Sequence, residues 1–230
     1  MPILVDPERN CIDAGANRGS YTYFLSRISR HVFAYEPNPA MREILQRRAQ
    51  ANVSVSPVAL SDHGGQAEFR VPRTRRGYRN NAGGLRVEHS TPNQRRDEEV
   101  SPQDDCSGMV TFQVPTGRLD DEPIEDVGFI KIDVEGHERE VLEGSRELLL
   151  RDRPVLLIEI MDDLTGEPVG ETIEYVQSLG YRAYVLLNRR LLDWELLDQQ
   201  PDPGQGWDRR RPHHRSNNFI FLPTGEKRAA

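Results

Sequence analysis

The chain is short of cysteine, of long apolar runs and of the glycines of a complete dinucleotide fingerprint, and each shortage excludes a class of protein. Its two cysteines, Cys11 and Cys106, cannot build a disulfide framework. Cys11 reads as a buried strand residue and Cys106 as a loop thiol. No apolar stretch approaches the ~20 residues that a membrane-spanning helix needs. The opening Met1-Pro2-Ile3-Leu4-Val5-Asp6-Pro7 lacks the basic start and apolar core of a secretory leader. The expectation is a cytoplasmic protein with no membrane partner. Acid outnumbers base to give a net charge of −7, which weighs against general nucleic-acid binding. No internal repeat is visible.

What is present is organised around Cys11–Tyr21, which reads as an apolar strand ending in Asp13, a turn with Gly15 and Gly19, and the first turn of a helix. Such glycines let a ligand approach the main chain, and a strand–glycine turn–helix unit is how doubly wound α/β folds cradle cofactors. A dinucleotide site wants G-x-G-x-x-G, and Asn17 stands where its middle glycine would be. At 230 residues the chain suits one α/β domain, expected to span residues 1–230.

Patterning extends this unit. Tyr21, Phe24, Leu25 and Ile28 recur at helical spacing, predicting a helix from Ser20 that covers the sheet with these residues inward. His31–Tyr35 reads as a second strand. Asn38 caps a helix with Pro39 at its first position and Met41, Ile44 and Leu45 inside. A third strand is expected over Val53–Leu60. Gln66–Val71 and Val110–Val114 pair as a ribbon off the main sheet. Between them, Pro72–Ser107 reads as a mobile charged loop or lid. Its arginines (Arg73, Arg75, Arg76, Arg79, Arg86, Arg95, Arg96) precede its acids (Asp97, Glu98, Glu99, Asp104, Asp105). That segregation fits a loop that pairs with itself, or a basic lid over an anionic substrate. Further strands are expected over Val127–Asp133, Val155–Ile160, Tyr181–Leu187 and Asn218–Leu222. One helix carries Val141, Leu142, Leu148 and Leu149, another spans Glu171–Leu179 and stops at Gly180, and Pro201–Arg215 is a polar loop (about 201–216). Alternating strands and helices imply a mostly parallel sheet in an α/β/α sandwich.

In such sheets ligands bind beyond the carboxyl ends of the strands. The sequence puts Asp13 and Glu36 at the ends of the first two strands, Ser61 and Asp62 after the third, Asp133 and Glu135 after the fourth and Glu159 late in the fifth. Glu36 lies about twenty residues past the glycine turn, where a carboxylate accepts from both hydroxyls of a ribose. Asp13 at the turn suits a cofactor with positive charge, not a pyrophosphate. S-adenosyl-L-methionine, with its sulfonium and amino group, meets both demands. Asp13, Gly15, Asn17, Gly19, Glu36, Pro37, Ser61, Asp62 and Asp133 are therefore the candidate cofactor residues.

The stretches Ile12-Asp13-Ala14-Gly15-Ala16-Asn17-Arg18-Gly19-Ser20-Tyr21-Thr22, Phe33-Ala34-Tyr35-Glu36-Pro37-Asn38-Pro39 and Val58-Ala59-Leu60-Ser61-Asp62 resemble the successive cofactor motifs of FkbM-type methyltransferases. So do Leu119-Asp120-Asp121, Leu157-Ile158-Glu159 and Asn218-Phe219-Ile220-Phe221-Leu222-Pro223. Ile130-Lys131-Ile132-Asp133-Val134-Glu135-Gly136-His137-Glu138 is the specific part. The charged Pro72–Ser107 loop departs from the family's pattern and bears on substrate recognition. The resemblance implies a class I, Rossmann-like methyltransferase: a seven-stranded, mostly parallel sheet with an antiparallel last strand. In that topology Asn217 and Asn218 face the active site, although a plain turn there is an equal alternative. It also implies O-methylation of a hydroxyl on a sugar, polyketide or similar small molecule. Asp133, Glu135, Glu159 and His137 are the candidate catalytic residues. His137 suits proton transfer by its ordinary pKa, but it stands where the family varies, so Asp133 and Glu135 rank ahead of it.

Alternatives remain in the sequence. Asp133, Glu135, His137 and Glu159 have metal-ligand chemistry, but Gly136 breaks the strand and the Asp-Asn partner of metal-dependent O-methyltransferases is missing, so no metal is expected. Asp133-Val134-Glu135-Gly136 replaces the Pro-Pro-Tyr motif of base amino methylation. Arg209, Arg210, Arg211, His213, His214 and Arg215 favour an RNA or other anionic substrate, yet no aromatic platform accompanies them. An NAD-dependent oxidoreductase shares the fold and the ribose carboxylate, although the missing middle glycine argues against it, and a non-catalytic protein that binds an adenosine cofactor is a further rival.

Overall fold

A computed structural model describes residues 3–74, 77–78, 84–86, 108–160, 169–187, 190–199 and 218–225. Five parallel strands carry the architecture: β1 (Asn10–Ala14), β2 (Val32–Tyr35), β3 (Val53–Ser56), β9 (Val127–Ile132) and β10 (Val155–Glu159). β13 (Asn218–Pro223) runs antiparallel between β10 and β11 (Tyr181–Leu187), as the resemblance implied. β12 (Arg190–Asp193) folds back on β11, so the sheet has eight strands in the order β12-β11-β13-β10-β9-β1-β2-β3. The eighth is an exposed edge hairpin whose four residues lack a buried alternation, the signal by which a strand is read.

Successive residues of the central strands feed opposite layers, as the two-residue strand period dictates. Ile12, Ile130, Ile132, Leu156 and Ile158 pack with Leu142, Leu149, Ile173 and Val176 on one side. Cys11, Phe129, Leu157 and Ile220 pack with Leu25 and Val32 on the other. The helices doing this covering are α1 (Ser20–Leu25), α2 (Pro39–Arg48), α3 (Glu138–Glu143), α4 (Arg146–Asp152) and Val169–Ser178.

Further expectations are corrected. The third strand is two pieces, because Pro57 has no N–H for the ladder. The chain leaves the main sheet there, and β4 (Ala59–Leu60) pairs with β8 (Met109–Gly117) in a second sheet. The single helix expected after β9 is broken at Gly144 into α3 and α4. A Cβ on Gly144 would lie 2.0 Å from the Ser61 carbonyl oxygen, so the chain turns where it meets that strand end. Asp120 then caps α4, accepting from the backbone N–H groups of Glu147 (3.1 Å) and Leu148 (2.9 Å). Finally, Phe24 is 61% exposed, and α1 buries Thr22 in its place beside the expected Leu25. A 2.6 Å hydrogen bond from Thr22 Oγ1 to Asp13 Oδ2 turns the helix that way.

The ribbon off the main sheet is present. β5 (Gly65–Thr74) pairs antiparallel with β8, and Phe69 lies opposite Phe112. β6 (Gly77–Tyr78) and β7 (Gly84–Arg86) add short strands to β5, and Pro72–Thr74 belongs to β5 itself, so the expected loop is strand in these parts. Most of the charged stretch within 72–107, the polar loop at 201–216 and Asn217 lie outside the described residues. Among the described residues no helix is long and apolar enough to cross a membrane.

Candidate active site

A cavity of about 350 Å³ opens at the carboxyl ends of β1, β2, β9 and β10, a size within the range of small-molecule sites. The second sheet roofs it with Phe69, Leu85 and Leu60. Gly15, Asn17, Glu36, Pro37 and Asp133 line it, as do all four candidate catalytic residues, Asp133, Glu135, His137 and Glu159. Asp13, Gly19, Ser61 and Asp62 are not among its lining residues.

The glycine turn is shaped by close approach. Gly15 has φ +74°, and a Cβ there would lie 1.9 Å from the Asp133 carbonyl oxygen. Only a bare Cα lets the β1 turn reach the end of β9. Gly19 serves the fold: it has φ +87°, and its Cβ would meet Leu45 Cδ1 at 2.6 Å.

Glu36 stands at the end of β2, buried at 5% exposure. Its Oε2 accepts from the Asn17 N–H at 2.7 Å and its Oε1 from the Asn38 N–H at 2.8 Å. The carboxylate thus ties the glycine turn to the start of α2, while each oxygen keeps a further acceptor direction. Burial raises its pKa, partly offset by those two N–H groups.

Asp13 is fully buried and turned away from the cavity. Its Oδ2 accepts from Thr22, and its Oδ1 lies 3.4 Å from Lys131 Nζ. Lys131, the last residue but one of β9 and 4% exposed, also donates to the Gly15 carbonyl at 2.8 Å and pairs with Asp133 Oδ2 at 3.2 Å. Burial works against its charge, but Asp13 and Asp133 outweigh that and hold its pKa above the ordinary lysine value.

After β9 the chain turns sharply. Glu135 has φ +57° and Gly136 φ +92°, and a left-handed Glu is a strained position that its surroundings must enforce. Glu138 does so. Its Oε1 accepts from the Val134 N–H (3.3 Å) and the Gly136 N–H (3.1 Å), while its Oε2 is buried with no hydrogen-bond partner. Burial pushes the Glu138 carboxyl up to about 7. His137 is buried too, and desolvation brings its imidazole down to about 4. Its Nε2 lies 2.9 Å from Ser61 Oγ, which engages that nitrogen, and its Nδ1 lies 3.4 Å from Glu140 Oε2. Ser61 therefore reaches the cavity only through His137, and Asp62 is half-exposed beside His63.

Glu159 ends β10, where burial and the neighbouring Asp133 raise its pKa. Asn218 is its register partner on β13, at the cavity's edge of the sheet. Lys131, Glu138 and Thr22 carry the site's geometry although sequence reasoning gave them no role. A lysine inside an apolar central strand was the available signal, since a buried ammonium requires counter-ions. Among the described residues no group of His, Cys, Asp and Glu side chains is arranged to hold a metal ion.

Residues 13–183 match the methyltransferase FkbM domain. Among solved structures, a methyltransferase FkbM from Methylobacillus flagellatus KT superposes with a TM-score of 0.54 at 14% identity, over 94% of this chain and 44% of that one. The chain thus spans less than half of that protein's length. An rRNA methylase from Streptococcus thermophilus gives 0.42 at 14% identity, covering 96% of this chain and 90% of that one. A methyltransferase candidate from Streptococcus mutans, solved in complex with SAH, gives 0.42 at 13% identity over 96% and 91%. No curated protein matches the chain. The domain match covers most of the chain and is carried on a sheet with an antiparallel strand inserted between β10 and β11, and on that ground this protein belongs to the FkbM methyltransferase family.

Proposed function

We propose that the protein is an S-adenosyl-L-methionine-dependent O-methyltransferase acting on a hydroxyl of a small molecule. The observation that carries this is the cavity wall: Glu36, Asp133, Glu135 and Glu159 line it, and among the described residues no lysine or arginine does. A wall of carboxylates repels phosphates and favours a ligand with positive charge. The described residues fit the cofactor, since Glu36 has further acceptor directions for a ribose and Gly15 lines the cavity beside it.

When bound, this cofactor supplies an electrophilic methyl group on a sulfonium. The protein's part is to orient a hydroxyl and accept its proton. Asp133, Glu135 and Glu159 face the same space and can do both. Glu159, whose pKa is raised, is a stronger base than an ordinary carboxylate. His137 is a weaker choice, because Ser61 engages its Nε2 and burial holds its imidazole down at about 4. It supports the cavity wall.

Calorimetric titration with S-adenosylhomocysteine tests the reading. The wild-type protein is expected to bind it, and Glu36→Ala to weaken binding on the order of 100-fold, the loss of charged hydrogen bonds worth about 1.5–3 kcal/mol each. A melting curve of the variant checks that its fold persists. Tighter binding of NAD than of S-adenosylhomocysteine would overturn the proposal.

A further inference from the structure

Lys131 is the one buried cation at this end of the sheet among the described residues. It is not among the residues that line the cavity. It touches two groups that do. Its ammonium reaches the Gly15 carbonyl at 2.8 Å and Asp133 Oδ2 at 3.2 Å. The Ala14 carbonyl (3.3 Å) and Asp13 Oδ1 (3.4 Å) complete its surroundings, and the Tyr21 ring closes the remaining side at 5.5 Å.

The two carboxylates around Lys131 differ. Asp13 is wholly buried and its second oxygen is taken by Thr22, so it is a counter-ion locked in place. The Asp133 side chain is 33% exposed and faces the cavity, so without a tether it could swing to solvent. A buried ammonium has three N–H donors to satisfy, and beside its counter-ion Asp13 this one directs them to the Gly15 carbonyl and the Asp133 carboxylate. Those contacts span β1 and β9 where the glycine turn and the catalytic turn approach each other.

We propose that Lys131 is a positioning residue: balanced by Asp13, its ammonium holds the Gly15 carbonyl and the Asp133 carboxylate where they meet the ligand. The inference rests on the S-adenosylmethionine reading of the cavity. It also gives Asp13 a role at one remove, since removing Asp13 unbalances Lys131 and slackens the turn above it.

The test uses the full chain, S-adenosylhomocysteine as probe, and the variants Lys131→Met and Asp13→Asn/Lys131→Met. Lys131→Met alone leaves the Asp13 carboxylate buried without a counter-ion, and is expected to melt lower. The double variant removes one charge of each sign, so the net charge is unchanged and the buried defect is relieved. The amide oxygen introduced by Asp13→Asn keeps an acceptor for Thr22. The double variant is expected to regain most of the lost melting temperature yet to bind the probe tenfold or more weakly than wild type. Recovery of affinity together with stability would show that Lys131 only neutralises Asp13, and would overturn the proposal. Wild-type affinity in Lys131→Met would overturn it as well. If Lys131→Met does not fold, the double variant alone decides. A wild-type protein that does not bind the probe would instead overturn the cofactor reading, and this inference with it.

Discussion

Glu138 shows how one side chain can hold a site in a costly conformation. It stabilises the left-handed Glu135–Gly136 turn from beneath, at the expense of a carboxyl oxygen buried without a partner. Its pKa is raised by burial from 4.5 to about 7, so the folded state holds a proton that the unfolded chain has released. The sign follows from linkage: the protonated native carboxyl favours folding at low pH, and stability is lost as pH rises from 4.5 to 7. Glu138→Gln keeps an acceptor for Val134 and Gly136 and cannot ionise. Its stability relative to wild type is expected to be near zero below pH 4.5 and to grow to about 1–3 kcal/mol above pH 7. Urea denaturation of both proteins across that range checks it, and parallel curves would contradict it. His137 works in the opposite sense. Its pKa is lowered from 6.5 to about 4, so the stability it contributes is present above 6.5 and is lost as pH falls towards 4.

At the scale of elements, Gly144 decides between two effects. Alanine is favoured over glycine in a helix by about 1 kcal/mol, and the backbone there is right-handed with φ −73°. Yet the new Cβ would lie 2.0 Å from the backbone oxygen of Ser61, and a strand end cannot yield as a side chain does. Overpacking wins, and Gly144→Ala is expected to destabilise the protein by about 1–3 kcal/mol in denaturant titration. A more stable variant would contradict this. The same glycine shows what the sequence makes legible. Strand ends are marked by Asp13, Glu36 and Glu159, and the start of α2 by Asn38 and Pro39, because local chemistry decides them. The break between α3 and α4 depends on Ser61, far away in the chain. The burial of Thr22 in place of Phe24 depends on Asp13, and the departure of Ala59–Leu60 from the main sheet depends on β8. Such long-range contacts leave no periodic trace. The cavity-lining acids were legible through their shared position at strand ends, but that Asp13 turns inward to Lys131 was not.

For the whole molecule, the acidic cavity sits in a protein of net charge −7, so local and long-range fields have the same sign. A cationic ligand is drawn by both, and salt screens the long-range part over about 10 Å at 0.1 M. The preference for S-adenosylmethionine, with its charged sulfonium, over S-adenosylhomocysteine, with its neutral sulfur, is therefore expected to fall as ionic strength rises in paired titrations. A preference that does not change with salt would place the sulfonium out of reach of the carboxylates. The central claim, that the cavity at the carboxyl ends of β1, β2, β9 and β10 holds this cofactor, is tested most directly by crystals grown with S-adenosylhomocysteine. The account predicts difference density inside that cavity, against Gly15, Glu36 and Asp133. Density for the bound molecule elsewhere on the protein, with the cavity empty, would contradict it.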